Sequence, residues 1–505
     1  MVSTIVNQDS INRAVWGACD TFRGVVDPSI YKDYVLTMLF LKYISDVWED
    51  HYEQYQEQYG DHPELIREMM KNERFQLPET AHFGYLYKRR EEPGNGERID
   101  KALHAIEEAN IAKLANVFQD ISFNANKLGE ERQKNEILKH LLQDFSKPEL
   151  DLRPSRVGKL DVIGNAYEFL IKNFASSSGK SAGEFYTPPE VSELIAQLVA
   201  PREGDEICDP ACGSASLLMK CGNEVKATFG GSRKYALYGQ ESIGSTWALA
   251  KMNLFLHGED NHRVEWGDTI RNPKLLDGDD QLKHFDVVVA NPPFSLEKWG
   301  EETAANDKFG RFRRGIPPRT KGDYAFILHM IETLKPATGR MAVVVPNGVL
   351  FRGATEGKIR QQLVEENMLV AVIGLPEKLF YGTGIPAAVL VFAKQKADNK
   401  VLFIDGSRSY SAGKNQNQLR GEDIDKIVSV YRNRRSEPSY AHLASFEEIE
   451  QNDFNLNISR YVDTSEEKAE IDLIAVCSER KLLKTELAEL EIQMENCLKE
   501  LGYGA

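Results

Sequence analysis

From about residue 185 onward, short apolar runs alternate with stretches long enough for a helix, and no other feature of the chain constrains its fold as strongly. The runs are Glu206–Cys208, Tyr235–Tyr238, Val264–Trp266, Phe285–Ala290, Met341–Val345, Val370–Ile373 and Ala387–Phe392, with spacers such as Gly244–His257 and Tyr324–Leu334. Parallel strands need a crossover of about a dozen residues, usually a helix, so this rhythm predicts an α/β protein with a doubly wound, mostly parallel sheet. The last runs are joined too tightly for such crossovers, which predicts an antiparallel strand at the sheet's edge.

The flanks have other periods. Residues 1–150 read as a helical N-terminal domain: Asp27 and Pro28 have the form of an N-cap followed by proline at the first helical position. Tyr31, Tyr34, Val35, Met38, Leu39, Ile44 and Trp48 then recur at helical spacing, a face meant for a core. Another helix starts at Asp161 and leads into the serine-rich residues 176–181, a flexible connection. A catalytic domain is placed at 151–462 and a C-terminal helix at 463–505. In that tail Val476, Leu483, Leu490 and Cys497 share one heptad position, and Leu473, Leu487, Met494 and Leu501 the partner position, with Arg480 interrupting: a coiled-coil-like seam.

The net charge of −15 and pI of about 5.3 speak against a protein that grips DNA alone, because phosphate neutralisation supplies most non-specific affinity. A subunit whose partner carries part of the grip remains open. The longest apolar run, Val35–Leu41, is far short of the roughly 20 residues of a membrane helix, and MVSTIVNQDS lacks the basic start of a signal peptide. With only six cysteines, a cytoplasmic, membrane-free location is expected. Cys208, Cys212 and Cys221 lack a second ligand pair and read as small core positions, so no metal is expected.

Three stations carry chemistry. The first is the small-residue turn Asp209, Pro210, Ala211, Cys212, Gly213, Ser214, Ala215, between the first strand and a helix, where backbone N–H groups can approach a ligand. A carboxylate inside the turn repels a pyrophosphate, which disfavours NAD, and suits a cation such as the sulfonium of S-adenosyl-L-methionine (AdoMet). The second is Glu241, placed to accept hydrogen bonds from ribose hydroxyls or simply to cap a helix N-terminus. Asp268, after the third strand, suits an adenine amino group or a plain turn. The third is Asn291, Pro292, Pro293 and Phe294 at the end of the fourth strand. A purine's exocyclic amine is a poor nucleophile because its lone pair is delocalised. The Asn291 oxygen and the Pro292 carbonyl offer two acceptors for its N–H groups, the prolines stiffen the loop, and Phe294 offers a face to a flipped base.

With these motifs in view, FYTPPEV, DPACGS and NPPF, in that order, resemble the amino-methylating DNA methyltransferases that place cofactor motifs before the catalytic one. GEFYTPPEV, PNGVLFRG, LPEKLFYGTGIPAAVLVF and FNLNISRYV resemble, more narrowly, the methylation (M) subunit of type I restriction–modification systems, over nearly the whole chain. The resemblance implies a Rossmann-like AdoMet-dependent methyltransferase sheet. It implies that Glu184, Phe185, Tyr186, Thr187, Pro188 and Pro189 cradle AdoMet with the Asp209 turn, that Glu241 takes the ribose, and that Asn291 to Phe294 hold adenine for N6-methylation. It also implies partners: a specificity (S) subunit that reads the sequence, a restriction (R) subunit, a second M subunit and double-stranded DNA. One departure is that related enzymes often carry glycine where Ala215 stands.

Residues 308–321 hold six basic side chains and no acids. A solvated loop is one reading; the position just after the catalytic loop favours contact of Lys308, Arg311, Arg313, Arg314, Arg319 and Lys321 with phosphates around the flipped base. The nearest rival activity is N4-cytosine methylation, whose branch more often has serine at the Asn291 position. RNA or protein-glutamine methylation leaves the long helical flanks unexplained, and a scaffold with a decayed pocket is disfavoured because every expected side chain is present.

Overall fold

The computed structural model describes residues 7–158, 161–177, 186–278, 280–380, 383–414, 416–463 and 473–503. They divide into two compact units, Met1–Val462 and Asp463–Ala505. In the first, one sheet is built from β1 (Glu206–Asp209), β2 (Ala236–Glu241), β3 (His262–Trp266), β4 (Val287–Ala290), β5 (Arg340–Pro346), β6 (Leu369–Gly374), β7 (Ala387–Ala393), β8 (Val401–Asp405) and β9 (Ala441–Ala444). Its order is β3-β2-β1-β4-β5-β7-β6-β8-β9. β1 to β5 are mutually parallel where they pair, and Cys208 of β1 lies between Tyr238 and Val288. The chain runs outward from β1 to β3 on one side and from β4 to β5 on the other. That reversal opens a crevice at the carboxyl ends of β1 and β4, where open α/β sheets bind ligands.

Each apolar run of the sequence falls on one of β1 to β7. The antiparallel strand among them, β7, is not at the edge, however: it is inserted between β5 and β6 and pairs antiparallel with both. The edge on that side is β9, antiparallel to β8. Buried on both sides, β7 reads as the unbroken apolar AAVLVFA rather than as an alternating edge. β9, with four residues and two of them half-buried, carries no pattern a sequence reading can hold.

The residues before the sheet are helical. Pro28–Tyr59 buries Tyr34, Val35, Met38, Leu39 and Phe40, each contributing about 1.5–3 kcal/mol by removal from water. Its carboxylates hold the connection that follows: Asp46, paired with Lys42, accepts the Leu152 N–H at 2.7 Å, and Asp50 accepts the Ser155 N–H at 3.0 Å. Helix Asp161–Ser177 then packs on Gln8–Ala18, on Pro28–Tyr59 and on Gly244–Leu256 beside the sheet, so helical region and sheet share one core. Ser176 and Ser177 end that helix rather than opening a linker; residues 178–185 lie outside the described residues. Cys208, Cys212 and Cys221 are buried, and burial pushes their thiols up.

The second unit is a helix, Leu473–Glu500. Val476, Leu483, Leu487, Leu490, Met494 and Leu501 are exposed, and so are Ile474, Leu482 and Ile492 beyond the heptad seam. Among the described residues no helix is long and apolar enough to cross a membrane.

Candidate active site

The crevice is built from strand ends. β1 delivers Asp209, whose side chain is buried and whose Oδ1 accepts the Ala211 N–H at 2.9 Å. Burial pushes its carboxyl up to about 8. The turn beyond it bends sharply, with Gly213 at φ 53° and Ala215 at φ 63°. Left-handed backbone costs a residue with a Cβ roughly 1–2 kcal/mol, so glycine would sit at position 215 with less strain than Ala215 does. The turn is held from outside: the Cys212 N–H donates to the Gln240 carbonyl at 3.1 Å, Asn253 donates to the Ser214 carbonyl at 2.9 Å, and Thr269 donates to the Pro210 carbonyl at 2.5 Å. Gly239 makes room for it, since a Cβ there would lie 3.0 Å from the Cys212 sulfur.

β2 ends on Glu241, 8% exposed, with its carboxyl raised by burial. Its Oε2 accepts the Gly213 N–H at 3.0 Å and its Oε1 accepts the Ile243 N–H at 2.8 Å and the Ser242 hydroxyl at 3.3 Å. It ties the first turn to the second. Asp268 is engaged as a turn residue: Oδ1 accepts the Ile270 and Arg271 N–H groups, both at 2.9 Å, and Oδ2 pairs with Arg271 at 3.0 Å.

β4 ends on Asn291. Its amide nitrogen donates to the Thr187 hydroxyl at 3.1 Å, while its Oδ1 is buried and has no hydrogen-bond partner among the described residues. Buried polar atoms are paired in the great majority of cases; of the seven unpartnered side-chain atoms among the described residues, this one alone belongs to a residue lining the strand-end cavities. Phe294 sets its ring edge-on to Phe380, 5.6 Å between centroids and 67° between planes. Tyr186 is buried, Pro188 caps and Pro189 opens helix Pro189–Val199; Glu184 and Phe185 lie outside the described residues.

A cavity of about 180 Å³ joins these ends, lined among others by Ala211, Glu241, Ile243, Asp268, Asn291 and Pro293. A narrower one, sharing Ala211 and Asn291, continues past Thr187, Asp209 and Gly213. Together their described linings hold three carboxylates and no lysine, arginine or histidine. That donor set suits a cation and a diol and rejects a phosphate. Ile243, Thr269, Leu296, Trp299 and Phe326 also line the space and were not anticipated. The one signal for the first four is proximity to Glu241, Asp268 and Asn291 in the chain; Phe326, on helix Asp323–Glu332, has none.

The N-6 DNA Methylase family model matches residues 158–470, and the HsdM N-terminal domain model matches residues 11–145. The chain belongs to the N-6 DNA methylase family. It is similar to the methylase subunit of the MjaVII type I restriction enzyme of Methanocaldococcus jannaschii, 33% identical over 98% of this chain and 84% of that one. The corresponding subunit of the MpnII enzyme of Mycoplasma pneumoniae is 30% identical over 92% of this chain and 91% of that one. A crystal structure of the type I restriction–modification methyltransferase subunit from Streptococcus thermophilus superposes with a TM-score of 0.80, at 34% identity, over 91% of this chain and all of that one. The protein is thus an adenine-specific DNA methyltransferase of the type I methylase-subunit kind, built on the AdoMet-dependent methyltransferase fold.

One part of the methylase departs from expectation. Of the six basic side chains in residues 308–321, Arg311 and Arg314 are buried, 3% and 4% exposed, and face protein rather than solvent. Arg311 pairs with Asp307 at 2.8 Å and donates to the Thr269 and Ile270 carbonyls at 3.2 and 2.7 Å, and to the buried His329. Arg314 pairs with Glu332 and Glu366, both at 2.6 Å. The five donors of Arg311 are all taken; Arg314 uses three of its five on two carboxylates and is buried with its charge met, so neither guanidinium is open to a phosphate. Both are therefore corrected from DNA contacts to braces, Arg311 of the loop that lines the cavity. Arg313 is exposed but paired with Glu332 at 2.6 Å; Lys308 and Arg319 are exposed and Lys321 half-buried.

Proposed function

We propose that this methylase transfers a methyl group from AdoMet to the N6 amine of an adenine rotated out of double-stranded DNA, with sequence reading supplied by a separate S subunit. The observation that carries the reading is the buried Oδ1 of Asn291, unpartnered among the described residues and three positions before the Phe294 ring in the same loop. That oxygen and the Pro292 carbonyl accept the two N–H groups of the amine, which draws its lone pair out of conjugation and aims it. Phe294, with Phe380 at its edge, provides the stacking face. AdoMet, when bound, supplies an electrophilic methyl carried on a sulfonium. Asp209 favours that positive charge. Glu241 has about four acceptor sites of which three are filled, so ribose hydroxyls would take the place of the Ser242 hydroxyl, its longest partner.

The exposed apolar side chains of Leu473–Glu500 support an assembly role for that helix, since such a stripe needs another apolar surface to be stable in water. The S subunit, a second methylase subunit and the R subunit are the partners proposed. Deleting residues 465–505 is expected to leave AdoMet binding intact and to abolish co-purification with the S subunit.

The deciding experiment incubates the chain, with and without its S subunit, with labelled AdoMet and DNA, then separates the nucleosides. Label in N6-methyladenine, dependent on the S subunit, is expected. Label in N4-methylcytosine would overturn the substrate, and equal labelling without the S subunit would overturn the division of labour.

A further inference from the structure

The catalytic tetrapeptide is anchored at its start by β4 and by Thr187, yet its end also has to be fixed if Phe294 is to present a ring in one place. Ser295, directly after Phe294, holds φ at 52°, a left-handed conformation that an L side chain disfavours and that some neighbour must enforce. Its N–H donates to Oδ1 of Asp323 at 2.8 Å. Asp323 is 3% exposed and opens helix Asp323–Glu332. The helix start is pressed against the same loop: the Gly322 N–H donates to the Leu296 carbonyl at 3.0 Å, and a Cβ on Gly322 would lie 2.9 Å from that of Trp299.

The second oxygen of Asp323 is fixed too. Arg352 donates through Nη2 to Asp323 Oδ2 at 2.5 Å, and through Nε and Nη2 to the buried Glu356 at 2.6 and 2.8 Å. Arg352 belongs to PNGVLFRG, a motif to which the reaction as described gives no task. We infer that Asp323 is a positioning residue for the base-holding loop, clamping the exit of Phe294 through Ser295, and that Arg352 sets the rotamer of Asp323. The inference rests on the reading that Asn291 and Phe294 hold the base. Neither Asp323 nor Arg352 itself lines the cavities, so neither side chain touches AdoMet directly.

Chemistry makes Asp323→Asn a discriminating change. An amide has one oxygen and one NH₂, so it can serve either the Ser295 N–H or the Arg352 guanidinium but not both. Arg352→Lys keeps the charge and loses the fork that spans two carboxylates. The test uses the complex of the methylase with its S subunit and DNA carrying 2-aminopurine at the target adenine. For Asp323→Asn we expect AdoMet affinity within twofold of wild type, a fall in kcat of tenfold or more, and a smaller fluorescence rise on DNA binding. Arg352→Lys should move the same readouts three- to tenfold, and decides the matter if Asp323→Asn does not fold. Unchanged kcat and fluorescence in a folded variant, or AdoMet affinity falling in step with kcat, would overturn the clamp. Asn291→Ala runs alongside. If it still methylates, the reading of the site fails and takes the clamp with it; if it is inactive while Asp323→Asn is normal, the clamp alone fails.

Discussion

Residues 291–294 and 308–321 lie close together in the chain, and both are rich in groups that bind nucleic acid, but they treat those groups in opposite ways. In residues 291–294, the proposed base-holding loop, a buried acceptor, Asn291 Oδ1, has no partner among the described residues. In the basic segment the two most deeply placed guanidiniums, those of Arg311 and Arg314, are engaged by Asp307, Glu332, Glu366 and backbone carbonyls. Residue type is the same kind of hint in both places. What separates a group kept for substrate from a group that holds the fold is whether its hydrogen-bonding capacity is already met.

The largest effect that tests this contrast is at Asn291. Asn291→Ala should lower methyl transfer by about 10²–10³-fold or more, the scale seen when one preorganised polar partner of a reacting group is removed, with AdoMet affinity nearly unchanged and a melting temperature no lower than that of the wild type. Loss of AdoMet binding in that variant would mean that the amide holds the fold after all. Arg311→Met should do the reverse. Removing one partner of a buried ion pair costs about 3–5 kcal/mol, visible in the denaturant midpoint, while the salt dependence of DNA affinity keeps its slope. A flattened slope with full stability would restore Arg311 as a phosphate ligand.

Glu241 stands between these cases, with part of its capacity met. Glu241→Ala should weaken AdoMet by about 1.5–3 kcal/mol in calorimetry, roughly ten- to a hundredfold, and unchanged affinity would remove it from the ribose site. Asp209 adds a pH signature. Its carboxyl rises from an ordinary 3.8 to about 8 in the fold, so the stability it contributes is complete below about 4 and is lost as pH rises towards 8. A cation favours the ionised form, so AdoMet affinity should climb over the same window. Binding near pH 7 should release up to about one proton, measurable by calorimetry in buffers of different ionisation enthalpy and absent in Asp209→Asn. The smallest effect belongs to the exposed remainder of the basic segment. Changing Lys308, Arg319 and Lys321 to Gln should weaken DNA equally for all sequences and flatten the salt slope by about one unit for each phosphate that is no longer neutralised.

The strand-end stations were legible because their signal is local: an apolar run that stops on Asp209, Glu241 or Asn291 tells where the carboxyl end of a strand lies, and topology does the rest. The fate of Arg311 was not, because its partners Thr269 and Ile270 are some forty residues away in the chain and nothing in KFGRFRRG announces them. The same limit hid the insertion of β7 between β5 and β6, which is a matter of pairing and not of composition. Asp323 shows a third kind of blindness. GDYAF reads as an ordinary helix start, and only the 2.8 Å bond from Ser295 reveals that its carboxylate reaches back to the catalytic loop.

The unpaired oxygen of Asn291 has a consequence for anyone who selects variants of this protein by heat. A buried acceptor without a partner disfavours the folded state by about 1–3 kcal/mol, so the resting enzyme is less stable than the same fold with an apolar side chain at that position. Variants that shed the amide would therefore rise early in a screen scored on thermal survival, and with Asn291 in the proposed role they would be dead as methylases. Thermal robustness and activity pull this residue in opposite directions, and a library enriched for the first needs a count of methylated sites to keep the second.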